Sequence, residues 1–316
     1  MNSLKKLDRD YVKADRAAVV GLLDRVTEAD FLTRMGLESR LREIDEQIAG
    51  QAEEPEEAHA SAALFFGGRP VVGSVGIEAE FGSGAISTFQ DLVTKILARN
   101  TTGLGVKGPV ANKSAAAMHI TNIVRGSFGF LLEEVRDQHQ IFETSLKKAV
   151  EQASELLEAF GKADEEEFQT AVVEVDQRIL STARDFFELM RQNGATLKMI
   201  AGDDEYQFGA DAVARGADRA NATSLEEMDR ELRGQLAGVL PGAHQFEFRV
   251  AGAETIKGKV DSAWTSEDLE RWNRELVGVD AVAITAVKRV VRNGQVARET
   301  HSLKRIDKAL NRQATG

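Results

Sequence analysis

The residues of this chain that could take part in chemistry are few and widely spaced. It has five histidines, His59, His119, His139, His244 and His301, and no cysteine. Without a thiol, composition excludes disulfides, thiolate zinc sites, iron–sulfur clusters and cysteine nucleophiles. No two histidines stand four apart, so a helix has no pair with which to hold zinc. Asp203, Asp204 and Glu205 are consecutive, whereas calcium is encircled by oxygens from alternate loop positions. The expectation is therefore no metal and no cofactor.

Three short motifs invite a catalytic or phosphate-binding reading. Gly103-Leu104-Gly105-Val106-Lys107-Gly108 matches the glycine pattern that wraps a pyrophosphate, but polar Asn100-Thr101-Thr102 precedes it and Pro109 follows. A dinucleotide site needs a buried strand before and a helix after, so a flexible loop is expected. Ser83, between Gly82 and Gly84, stands where it could cap the helix that follows. Arg125-Gly126-Ser127-Phe128-Gly129 resembles a nucleophile elbow only loosely, and apolar alternation runs straight through Ser127. A triad of His119, Ser127 and Glu133 can be drawn on paper, yet a histidine in a half-buried strand is usually structural. An enzyme with its site on this central region is the least favoured reading.

Charge is distributed unevenly. The chain carries 40 Lys and Arg against 51 Asp and Glu, a net of −11, so bulk charge does not draw it to nucleic acid. From Gly278 onward the balance reverses, to 8 basic against 3 acidic residues. Arg249, Lys257 and Lys259 lie on neighbouring expected strands beside Phe246 and Phe248, and Arg292, Arg298, Lys304 and Arg305 follow in the basic tail. Cations beside aromatics on a small barrel are what base stacking and phosphate contact require. These seven residues are the candidate binding set, for nucleic acid or an acidic partner.

The elements that must position these residues follow from periodicity. Residues 1–52 hold apolar positions three and four apart, such as Leu37, Leu41, Ile44 and Ile48, and are expected as an N-terminal helical arm. Residues 50–57, with Gly50 as a helix stop and four acids around Pro55, read as a linker. Residues 59–202 are expected as a central α+β domain. In it 63–66 and 71–77 form a β-hairpin, a helix covers 84–99, and 118–124 and 126–132 form a second strand pair. Residues 135–193 then make a long antiparallel helical hairpin of two helices, 135–160 and 164–193. Gly161 stops the first, and Asp164 with Glu167 opens the second. The acidic, weakly periodic stretch 203–223 is expected as a connector.

Residues 224–316 are expected as a small β-barrel. Strands at 232–239, 245–250 and 254–260 precede a helix at 266–276, and strands at 279–291 and 296–306 flank Asn293-Gly294, a strong hairpin signal. The order β-β-β-α-β-β is that of an OB-like barrel.

Met1 to Leu7 is followed by Asp8, Arg9 and Asp10, and no stretch approaches about 18 uncharged apolar residues, so a cytoplasmic protein without a membrane span is expected. A non-enzymatic bacterial protein that self-associates or docks a partner subunit is the first expectation. A place in a multi-gene cassette such as a phage-defence system is consistent with it. A nucleic-acid-binding accessory factor acting through the barrel is the second.

Overall fold

The computed structural model describes residues 3–26, 30–52, 58–105, 107–124, 128–135 and 142–309. The architecture is mixed α+β, and the chain divides into two compact units. The first contains residues 1–164 and 178–220, and the second residues 165–177 and 221–316.

In the first unit, α1 (Ser3–Leu23) and α2 (Phe31–Ala52) pair through a narrow apolar seam. Leu37, Leu41, Ile44 and Ile48 recur at steps of four, three and four, the repeat that keeps one helix stripe against another. Among the described side chains Val12, Val19 and Ile44 are buried there, and Leu23, Leu37, Leu41 and Ile48 pack around them. Arg16 reaches Asp45 at 2.6 Å and Arg40 reaches Asp15 at 3.0 Å across the pair.

Next come β1 (Ser61–Gly68), the two-residue strands β2 (Val71–Val72) and β3 (Gly76–Ile77), and α3 (Ala79–Thr101). They are followed by β4 (His119–Val124), β5 (Phe128–Glu133) and α4 (Ser145–Gly161). Then α5 (Glu165–Val173) passes to the second unit. The first unit resumes with α6 (Gln177–Gln192), β6 (Ala195–Ala201), β7 (Asp204–Phe208) and α7 (Ala210–Ala222). One antiparallel sheet runs in the order β4-β5-β1-β6-β7. β1 lies at its centre, and every side chain from Ser61 to Phe66 is buried because both sheet faces are covered. Phe66 meets Phe81 of α3 edge-on at 5.4 Å on one face, and Phe65 joins Ala63, Leu131 and Ile200 on the other. Gly129 is required beside Phe65, since a Cβ there would stand 2.4 Å from the ring.

Two buried polar residues tie this unit together. Glu134 accepts hydrogen bonds from the Ala60 amide at 3.0 Å and the Thr144 hydroxyl at 2.6 Å, and Thr144 in turn caps α4 by accepting from the Lys147 amide. At the other end of α4, Arg219 of α7 is 3 % exposed and donates to the carbonyls of Ala159, Phe160, Lys162, Ala163 and Asp164. The last carbonyls of a helix have no partner within it, and a guanidinium supplies both donors and a charge opposite to the negative helix end.

The structure differs from the sequence expectations at four places. The expected hairpin of 63–66 with 71–77 does not form: β2 pairs with β3, and β1 pairs with β5 and β6. Ser83 is not a cap, because α3 begins at Ala79 and the Ser83 hydroxyl donates to the Glu80 carbonyl. The helix expected over 164–193 is broken between Val173 and Gln177, so 135–193 is not one two-helix hairpin. The break falls in a stretch rich in β-branched residues, Val172, Val173 and Val175, which disfavour helix through restricted side-chain rotation. Residues 136–141, on which the first helix was expected to begin, lie outside the described residues, as do 53–57 of the linker. The connector at 203–223 is instead β7 and α7, whose alanines and short polar residues bury a small-residue face carrying Val213, Ala217 and Ala220. Among the described residues no helix is long and apolar enough to cross a membrane.

The second unit is built from β8 (Thr223–Leu240), β9 (Gln245–Val250), β10 (Thr255–Val260), α8 (Ser266–Glu275), β11 (Asp280–Arg292) and β12 (Gln295–Lys308). Its five strands close on themselves in the order β10-β12-β11-β8-β9. Neighbours are antiparallel except β10 and β12, which run parallel and meet only at Lys259–Ser302 and Val260–Leu303. Phe246, Phe248, Leu232, Leu236 and Leu303 fill the interior, and α8 adds Leu269 and Trp272 to the same core. Thr265 and Asp268 cap α8 reciprocally, and Asn273 pins it by bonding both the amide and carbonyl of Val239. Asn293 and Gly294 both have positive φ, as a tight two-residue turn between β11 and β12 requires.

Candidate functional site

The seven candidate cations all fall in the second unit, where most already have partners. Arg292 pairs with Glu165 in the first turn of α5, and its guanidinium carbon stands 5.7 Å from the centre of the Phe168 ring. Arg298 donates to the Thr170 hydroxyl at 2.8 Å, and Lys259 reaches Glu174 just past the end of α5 at 3.0 Å. Lys288, which the sequence reading did not select, donates to the Val175 carbonyl at 2.5 Å. These cations therefore strap α5 along its length against β11 and β12, over the buried side chains of Phe168, Val172 and Val290. The three glutamates of its first turn lie at the positive end of the helix.

The rest of the set is more open. Lys257 meets Glu247 at 2.6 Å, Lys304 meets Asp229 at 2.6 Å and Arg305 meets Asp307 at 2.6 Å. These side chains are 44–72 % exposed, and pairs of that kind contribute at most about 1 kcal/mol. Arg249 is exposed and has no ion pair among the described residues.

Where β10 and β12 part, a cleft of about 750 Å³ opens in the unit. Val239, Phe246 and Val287 supply its apolar wall, while Lys257, Lys259, Lys288, Glu174, Glu227 and Glu247 supply charges of both signs. Gly258 has no room for a side chain, since a Cβ would stand 2.2 Å from the His301 carbonyl oxygen and 2.8 Å from the Phe246 ring. The volume lies within the usual range for small-molecule sites.

Two groups of the cleft wall have shifted pKa values, Glu299 and His301, and the side chain of His301 is 8 % exposed. Burial holds its pKa below the ordinary histidine value, with Arg230 and Arg289 adding to the effect against the attraction of Glu299. Burial pushes Glu299 upward, but hydrogen bonds and charge from Arg289 and His301 outweigh it and hold the carboxyl below its usual range. A neutral imidazole facing a carboxylate must donate, so Nε2–H bonds Glu299 at 3.0 Å and Nδ1 carries the lone pair. That Nδ1 is buried without a hydrogen-bond partner inside the wall. Sequence reading missed this cluster because Arg230, Arg289, Glu299 and His301 converge only once β8, β11 and β12 pair.

The catalytic alternatives do not assemble into a described centre. His119 and Glu133 are register partners on β4 and β5, but His119 is exposed and Glu133 accepts the Thr121 hydroxyl. Ser127 lies outside the described residues, as do His139 and Val106. In the glycine loop, Arg178 donates to the carbonyls of Gly105 at 2.9 Å and Gly108 at 2.8 Å. That loop presents oxygen to a cation, whereas a phosphate cradle must present N–H. Among the described residues no group of His, Asp and Glu is arranged to hold a metal ion. No protein-family model, curated protein or solved structure matches the chain.

Proposed function

We propose that this chain is a cytoplasmic binding and assembly protein, with the α1–α2 arm as the element that docks a partner or a second copy and an OB-like barrel as a second binding module. The observation that carries the reading is the state of α2. Phe31, Leu32 and Met35 are 69, 75 and 53 % exposed at its start, beside a seam in which, among the described side chains, Val12, Val19 and Ile44 are buried. Helices of this length draw most of their stability from packing of an apolar face, so apolar side chains left exposed on α2 are available for such packing. Large apolar side chains grouped on one exposed turn mark interaction surfaces. The test compares wild type with the triple variant Phe31→Ser, Leu32→Ser, Met35→Ser, purified side by side from the native host. The expected result is a stoichiometric partner, or a second copy seen by sedimentation, that the variant loses. Unchanged mass and an unchanged set of associated proteins would refute the reading.

A second reading, a nucleic-acid accessory factor acting through an OB-like module, is supported by the second unit's strand order, with a helix between the third and fourth strands and a parallel pairing of third with fifth. The exposed cations Arg249, Lys257, Lys304 and Arg305 would carry it, since Lys259, Arg292 and Arg298 hold α5. Salt-titrated filter binding of single-stranded DNA and RNA tests it. Affinity that falls steeply with salt and is lost with Arg249→Glu plus Lys257→Glu supports the reading; no binding at low salt removes it.

A further inference from the structure

The two edges of the first unit's sheet are treated differently. β7, at one edge, carries Asp204 and Glu205. β4, at the other, reads His119-Ile120-Thr121-Asn122-Ile123-Val124, without a lysine, arginine, acid or proline, and residues 119 to 123 are all exposed. An edge strand presents unpaired N–H and C=O groups, and proteins ordinarily blunt such edges with charge or proline. β4 has neither charge nor proline, and of the devices that blunt an edge it carries a bulge.

Ile120 pairs with Leu132, Asn122 with Leu131 and Ile123 with Phe130, so Thr121 is the extra residue. Leu132 and Phe130 are two apart and share a face of β5, which places Ile120 and Ile123 on that same face. Without the extra residue two positions three apart would point to opposite faces. The bulge therefore gathers both isoleucines, 53 and 52 % exposed, on one side and leaves Thr121 and Asn122 on the other.

This pattern is its own complement. An antiparallel pairing of two β4 strands about a twofold axis between Thr121 and Asn122 sets Ile120 opposite Ile123 of the second copy and Thr121 opposite its Asn122. Apolar then faces apolar, amide faces hydroxyl, no like charges meet, and the two bulges fall together at the axis. A twofold interface needs this self-complementarity.

We propose that β4 is a homodimerisation edge, by which two copies of this chain join their sheets through antiparallel β4–β4 pairing. The proposal rests on the assembly reading above and names a second copy as the partner at one defined surface. A six-residue edge is a small interface, so the dimer is weak and its population depends on concentration.

The test is sedimentation of the full chain from about 1 to 200 µM, spanning the micromolar affinities expected of small interfaces. Wild type is expected to rise from the mass of one chain toward two. Ile120→Lys plus Ile123→Lys is expected to remain monomeric with unchanged far-UV circular dichroism and thermal midpoint, since both side chains are already half exposed. The chain has no cysteine, so Asn122→Cys offers one thiol for a nitroxide. Dipolar broadening that disappears on dilution with unlabelled protein is expected. A wild type that stays monomeric throughout overturns the proposal. So does a dimer that survives the two lysines, and if that dimer is instead lost with the Phe31, Leu32 and Met35 variant, the arm reading stands while this one falls.

Discussion

Replacing Arg219 with methionine tests the account of the first unit most directly. The side chain is 3 % exposed, and its guanidinium reaches the carbonyls of Lys162 at 2.5 Å, Asp164 at 3.0 Å and Ala159 at 3.1 Å, with Phe160 and Ala163 each at 3.3 Å. Counting only the three shorter bonds, at about 1–1.5 kcal/mol each, the loss is about 3–5 kcal/mol. Methionine keeps the apolar stem and volume, so packing is largely preserved and the missing donors dominate. With a urea dependence of about 2.5 kcal/mol per molar, the midpoint should fall by about 1–2 M. Both tryptophans, Trp264 and Trp272, lie in the second unit, so tryptophan fluorescence reports the barrel while far-UV circular dichroism is dominated by helices of the first. The dichroism transition should move and the fluorescence transition should stay within about 0.5 kcal/mol, the size of an independent-site effect. A dichroism shift below about 1 kcal/mol would mean that these carbonyls find water instead, and the capping argument would be wrong.

Three further outcomes follow from the second unit. Arg292→Gln with Arg298→Gln should loosen α5, raising amide hydrogen exchange across Glu165–Val173 about 10-fold, near 1.4 kcal/mol, while α8 exchanges as before. Gly258→Ala should destabilise the barrel by about 3 kcal/mol or more, read as an early loss of the tryptophan signal, because the new Cβ meets the His301 carbonyl. The depressed pKa of His301 means that the unfolded chain takes up its proton first as acidity rises. Its contribution to stability is therefore present above the ordinary histidine value near 6.5 and is lost below it, with a slope of at most about 1.4 kcal/mol per pH unit. His301→Phe should remove that slope from fluorescence-monitored urea midpoints between pH 7.5 and 5.5, and an identical slope in the variant would refute the assignment.

Most of the second unit's strands were legible because they announce themselves locally, although the first half of β8 was not. Phe246 and Phe248 alternate with Glu247 and Arg249, Asn293-Gly294 marks the turn, and Thr265 with Asp268 marks the start of α8, so short-range chemistry and final position agree. The first unit was harder to read, because β1 is buried on both faces and its Ala-Ala-Leu-Phe-Phe run carries no alternation to say which strands flank it. The same gap explains why 203–223 looked like a connector: α7 is a helix of small and polar residues whose reason for being ordered, Arg219 on the end of α4, lies some 55 to 60 residues away in the chain. For the candidate site, residue types did not disclose which partners the cations hold within the second unit. Arg292, Arg298 and Lys259 looked like a surface for anions until α5, from far upstream, was seen to occupy them.

That origin of α5 has a consequence for how the protein is made. The helix leaves the ribosome ahead of every strand it will cover, with Phe168 and Val172 exposed until β11 and β12 emerge. The flanking segments of the first unit must meanwhile find each other across it. A gene fragment cut at residue 224 would lack the helix altogether, leaving Val290 bare and Arg292 and Arg298 without their acceptors. Expressed alone, such a fragment should aggregate, and adding back a synthetic peptide of residues 165–177 should restore its solubility.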